Sequence, residues 1–92
     1  MPKSRTAAKR AAVARRRALR NRSVKSAVKT AIRKFERALT AADLELARRY
    51  FREAVIRIDK AAGKGILHKN TAARKKSRLA RRLNRAAGEG AS

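Results

Sequence analysis

The chain has 92 residues, 28 of them Lys or Arg and six Asp or Glu, which gives a net charge of +22. Such a length fits one small domain, and the absence of cysteine with a single histidine excludes disulfides, thiolate metal ligands and anything resembling a zinc centre. Charge of this density calls for a polyanionic partner, and nucleic acid is the first candidate.

The apolar content of 43% overstates the core, because 21 of those residues are alanine and only 19 are larger. With so little to bury and so much self-repulsion, the isolated chain is expected to be marginally stable and to order partly on its partner. No apolar run approaches membrane-spanning length. The basic N-terminus is not followed by a hydrophobic stretch, so it does not read as a secretory signal. Its Arg/Ala-rich character is like that of an organellar transit peptide, but the pattern runs on into a well-patterned helix. The expected location is the cytoplasm.

Proline occurs only at Pro2 and glycine only at Gly63, Gly65, Gly88 and Gly90. This punctuation predicts three helices, over about 5–39, 41–62 and 68–87. The expected fold class is all-α: an antiparallel three-helix bundle whose long first helix extends beyond it as a basic arm. The arm is residues 1–20, the bundle 21–87, and a flexible tail 88–92.

In the first helix Val24, Val28, Ala31, Ile32, Phe35 and Leu39 share one arc, and Arg15, Arg22, Lys25, Lys29 and Arg33 share the opposite side. Before about Asn21 no packing seam exists, since Arg10 and Arg17 project along the azimuth of the apolar stripe. That segment is expected to be helical on RNA, with a disordered basic tail an equal alternative in the free protein. Thr40 and Asp43 read as an N-cap and its acidic third helical position.

The second helix is expected to bury Leu44, Ala47, Phe51, Ala54, Val55, Ile58 and Ala62. Its outer side is expected to carry Glu45, Arg49, Glu53 and Arg57 in a ladder of opposite charges. Five bases and four acids from Ala41 to Ala62 make it the neutral helix, the one expected to face away from phosphate. Gly63 and Gly65 end it. In the third helix Ala72, Ala73, Leu79, Ala80, Leu83, Ala86 and Ala87 share one side, and Arg74, Lys75, Arg78, Arg81, Arg82 and Arg85 share the other. Lys76 falls within the apolar arc, its stem packed and its amine reaching out. Gly88 is expected to end the helix.

No grouping of residues suggests catalysis or a cofactor. His68 has no thiol partner, Asp59 near the end of the second helix reads as a structural ion pair, and Gly63-Lys64-Gly65 is too short to cradle phosphates. Cationic stripes on two helices beside a balanced third suggest binding to phosphate. About ten neutralised phosphates give a slope of log K against log salt of roughly −7 to −9. Few aromatic residues argue against base stacking, and rigid basic helices suit the grooves and junctions of folded RNA. Composition leaves nucleoid-type, non-specific DNA binding open. A cationic membrane-surface binder is a weaker rival, because the apolar faces read as bundle seams.

The run Asn21-Arg22-Ser23-Val24-Lys25-Ser26-Ala27-Val28-Lys29-Thr30 resembles the first-helix signature of a bacterial small-subunit ribosomal protein family, number twenty of the S series. Ile58-Asp59-Lys60-Ala61-Ala62, Lys64-Gly65, His68-Lys69-Asn70 and Ala72-Ala73-Arg74-Lys75-Lys76-Ser77-Arg78-Leu79 resemble its most recognisable segment. The likeness covers about Asn21 to Asn84. It implies a three-helix bundle that binds 16S rRNA directly, at the 5′ domain and the long penultimate helix, among the other small-subunit components.

By that resemblance RNA contact is carried to Asn21, Arg22, Lys25, Ser26 and Lys29, and to His68, Lys69, Asn70, Arg74, Lys75 and Arg78. Arg15, Arg33, Arg81, Arg82 and Arg85 join them from the stripes. Thr30 and Ser77 match the pattern too, with packing between helices as their alternative role. For His68 the alternative is a helix cap. Residues 3–20 depart from the family in being richer in Ala and Arg, and Thr40-Ala41-Ala42-Asp43 lacks the glycine often found at the first turn.

Overall fold

The computed structural model describes the backbone of residues 2–91 and the side chains of residues 6–88. Three helices follow one another: α1 over Pro2–Thr40, α2 over Leu44–Gly63 and α3 over Lys69–Ala91. Among the described residues there are no strands. α1 is unbroken because no glycine interrupts it and Pro2 sits at its first position, where a missing N–H costs nothing. α2 packs against both other helices, more extensively against α1, whereas α1 and α3 make little direct contact.

The seams have heptad spacing. Along α1 the core positions are Val24, Val28, Ala31, Phe35 and Ala38, at alternating steps of four and three, and along α2 they are Ala47, Phe51, Ala54, Ile58 and Ala61. That rhythm keeps one stripe of each helix against its neighbour and packs the helices at a shallow angle. Alanine fills many of these positions, so the backbones approach closely and little area is buried. The bulk comes from Phe35 and Ile58, both fully buried, and from the tilted contact of Phe35 with Phe51, whose ring centres are 6.1 Å apart.

Several sequence expectations shift by a residue or more. Ala38, Leu46, Tyr50 and Ala61 join the core or its edge, while Leu44 and Val55 are only half-buried and Ala73 is exposed. The α2 seam is thus centred nearer Ala47, Ala54 and Ala61 than its largest side chains suggest, because its closest contacts are made by its smallest residues. α3 contributes Ala72 and Leu79 as buried residues and Leu83 at the edge. Lys76 occupies the seam position between Ala72 and Leu79, and its Nζ reaches Asp59 of α2 at 2.8 Å. This ion pair bears out both the snorkelling expected of Lys76 and the basic neighbour expected of Asp59.

Each helix junction closes through a left-handed residue. At the first, the Asp43 N–H donates to the Ala38 carbonyl and the Ala42 N–H to the Leu39 carbonyl, both at 3.0 Å, with Ala42 at φ 56°. At the second, the Ile66 N–H donates to the Ala61 carbonyl at 2.9 Å and the Gly65 N–H to the Ala62 carbonyl at 3.0 Å, with Gly65 at φ 74°. Both have the Schellman pattern. Gly65 is free to adopt it, whereas the Cβ of Ala42 meets its own backbone there.

Thr40 is not the cap of α2. It ends α1, its hydroxyl donating to the Glu36 carbonyl at 3.0 Å, and Asp43 is the N-cap, its carboxylate accepting the Leu46 N–H at 3.1 Å. The Schellman turn consumes the residues between, which moves the start of α2 three positions beyond the expected one. Gly88 does not end α3, which runs on to Ala91. Glycine weakens a helix interior by roughly 1 kcal/mol but stops a helix only where it turns left-handed, as Gly65 does.

Ala42→Gly relieves the left-handed strain at the first turn and is expected to raise stability by about 1 kcal/mol. Urea unfolding followed by helical circular dichroism at constant salt measures this. An unchanged or lower midpoint would show that the turn carries no strain.

Candidate nucleic-acid interface

The chain's cations become a site through helix geometry. α1 reaches its first core contact at Val24, so the helix before it stands clear of α2, with Arg15, Arg16, Arg17 and Arg20 all exposed. Thirty-nine residues at about 1.5 Å each give a rod of roughly 58 Å, most of the 72 Å length of a body measuring 72 × 23 × 13 Å. The structure thus forms the arm as a continuation of α1.

Of the residues expected to touch RNA, Asn21 and Lys75 are half-buried and the rest are exposed. Arg22, Lys25, Lys29 and Arg33 line the open side of α1. On α3 the cations do not point simply away from the core. Lys75, Arg78, Arg81, Arg82 and Arg85 border a groove of about 390 Å³ facing α1, where Ile32 and Glu36 supply the other wall. Lys25 and Lys29 lie one to two turns before Ile32 and Glu36, at spacings of three and seven, so they flank the apolar stripe beside Ile32 and do not stand on its opposite side as expected. The stripes of the two outer helices therefore converge on one side of the molecule. Arg74, Lys69 and Asn70 stay exposed near the start of α3, and Arg15 lies apart on the arm.

One ion pair crosses this groove: Arg82 Nη1 donates to Glu36 Oε1 at 2.9 Å, with both side chains about half-exposed. An exposed pair of this kind contributes at most about 1 kcal/mol. Glu36, Ile32 and Leu79 were not among the expected site residues. The signal was available in the seam spacing, since Ile32 and Glu36 sit one position off the Ala31–Phe35 stripe and so at its edge.

Between α1 and α2 a second groove is lined by Ser23, Ser26, Thr30 and Lys34 from one side and by Glu53 and Arg57 from the other. Ser26 thus lies beside an acidic residue and apart from the α1–α3 groove. Thr30 borders the helix interface, as its alternative role implied. The expected outer ladder on α2 is split. Glu45 and Arg49 line an open depression with Arg52, and Glu53 and Arg57 turn toward α1. Each step of four residues advances about 40° around a helix, so four such members sweep a third of a turn. Lys34 also leans on α2, its Nζ 5.9 Å from the centre of the Tyr50 ring.

His68 is a helix cap. Its Nδ1 accepts the Asn70 N–H at 3.1 Å, and its carbonyl accepts the Ala72 N–H at 3.0 Å. That contact requires a lone pair on Nδ1, so the ring proton sits on Nε2. The exposed Nε2–H remains free to donate to an incoming phosphate, which makes the two roles considered for this residue compatible.

Two basic helices, a charge-balanced third and a cationic groove between α1 and α3 define a small, all-helical, strongly basic protein. The family described as Ribosomal protein S20 matches residues 2–84, and the chain belongs to that family. The small ribosomal subunit protein bS20 of Desulforamulus reducens is 54% identical over 88 residues, covering 96% of this chain and 100% of that protein. The bS20 proteins of Pelotomaculum thermopropionicum and Heliobacterium modesticaldum are 56% and 50% identical, covering 96% and 94% of the chain and 100% and 98% of their own lengths. The family is one of ribosomal structural proteins and not of enzymes. No described helix is long and apolar enough to cross a membrane.

His68→Ala removes the acceptor that starts α3 and is expected to cost about 1 kcal/mol, whereas His68→Asn retains most of the cap. Thermal unfolding of the two variants side by side checks this. Equal melting temperatures would show that the ring caps nothing.

Proposed function

We propose that the protein binds 16S rRNA directly as a structural constituent of the small ribosomal subunit, screening repulsion between packed RNA helices. The convergence of the α1 and α3 cations on one side of the molecule supports this reading most strongly. Cations set on rigid helices meet phosphate without the backbone ordering that a flexible segment requires, and the geometry selects for the shape of folded RNA. The mechanism is electrostatic and positional, with no turnover.

The contact set comprises Arg15, Arg22, Lys25, Lys29 and Arg33 on α1, with Asn21 and Ser26 beside them, and Lys69, Asn70, Arg74, Lys75, Arg78, Arg81, Arg82 and Arg85 on α3, with His68 at its start. The 5′ domain and the long penultimate helix are the RNA elements implied by the family resemblance. Residues 1–20 form the arm, 21–87 the bundle and 88–92 the tail. The site of action is the cytoplasmic ribosome, as the family implies.

Arg74, Lys75 and Arg78 changed together to Gln are expected to weaken binding to a folded 16S 5′-domain fragment and to flatten its salt slope by up to about three units. Glu45→Gln, on the far end of α2, is expected to leave both unchanged. Filter binding at several salt concentrations measures the slope, and chemical footprinting on 16S rRNA identifies the protected helices. Equal affinity for duplex DNA at matched salt would support nucleoid-type binding instead.

A further inference from the structure

We propose that the α1–α3 groove seats a single sugar–phosphate strand of RNA, and that Glu36 holds the place of its phosphate in the free protein. The proposal rests on the RNA-binding reading above and adds the location and the device. The groove has two chemistries. Ile32 and Leu79 make an aliphatic floor, and the guanidinium groups of Arg78, Arg82 and Arg85 stand along its wall. A sugar–phosphate strand carries the complementary pair, with ribose C–H faces for the floor and phosphate oxygens for the wall. Guanidinium forks match those oxygens two at a time.

Glu36 is the acidic residue among the groove's lining, and it is already paired, its Oε1 2.9 Å from Arg82 Nη1. A carboxylate and a phosphate present the same acceptor to a guanidinium, so the two compete for Arg82. In the free protein the pair draws α1 and α3 together where their direct contact is slight. On RNA, Arg82 exchanges Glu36 for a phosphate, and the released carboxylate is left as a like charge beside the strand. Glu36 therefore steadies the empty groove and weakens the filled one.

The consequence is unusual for an interface residue: removing its charge tightens binding. Glu36→Gln in the full chain is expected to bind the folded 16S 5′-domain fragment about fivefold more tightly, the size of one like-charge contact at about 4 Å in water. Its salt slope should steepen by up to about 0.9, because in the wild-type complex the freed Glu36 carboxylate retains a cation beside the strand that the variant lets go. Unchanged or weaker binding by a helical Glu36→Gln protein would overturn the proposal.

A second measurement does not depend on that variant folding. The chain has no cysteine, so Ile32→Cys places a single thiol on the groove floor and Ile56→Cys one on the exposed outer face of α2. Saturating RNA is expected to abolish alkylation at residue 32 and spare it at residue 56. If RNA binds but the thiol at 32 stays reactive, the groove is not the seat and direct RNA binding still stands. If the wild-type chain shows no salt-dependent binding to the fragment, the RNA-binding reading itself fails and takes the groove with it.

Discussion

Repulsion among the cations is the constraint to which every other part of this molecule answers. A net charge of +22 on 92 residues opposes compaction at every step. The force against it, among the described residues, is a core of ten buried apolar residues, of which Ala31, Ala38, Ala47, Ala54, Ala61 and Ala72 are alanine. Such a core cannot be large, so it is made close. Heptad spacing sets small side chains opposite one another, and the gain comes from backbone proximity and from Phe35, Phe51 and Ile58. The cations are meanwhile kept off the seams, except for Lys76, which is neutralised where it stands.

The few acids have architectural work. Asp43 caps α2, Asp59 ties α3 to α2, Glu36 ties α3 to α1, and Glu53 faces α1 beside Arg57. α3 has the shorter apolar seam, and both interhelical ion pairs anchor it. Exposed pairs are screened by salt, so α3 is the element whose seating depends most on ionic conditions. A polyanion relieves the repulsion that the pairs only partly offset.

The three helices were legible because proline and glycine punctuate them and because Val24, Val28, Phe35 and Ile58 announce a period. The α2 seam was less so. Its defining residues are Ala47, Ala54 and Ala61, and alanine is equally at home on a surface, so the larger Leu44 and Val55 drew the stripe toward themselves. The first junction was misread because Thr40 and Asp43 both suit a cap. The choice between them is made by a left-handed Ala42, a conformation that nothing in alanine's chemistry advertises. On α3 the stripe itself was visible, but its aim toward α1 was not. Direction around a helix is set by the partner's position, and the groove with its Glu36–Arg82 bridge exists only once three helices are assembled.

The narrowest extent of the Cα trace, 13 Å, is less than twice the screening length of physiological salt, about 8 Å. Charge fixed on one broad surface is only partly screened from the other. A body this thin shares its charge between its two broad faces, and neither face is electrically independent of the other.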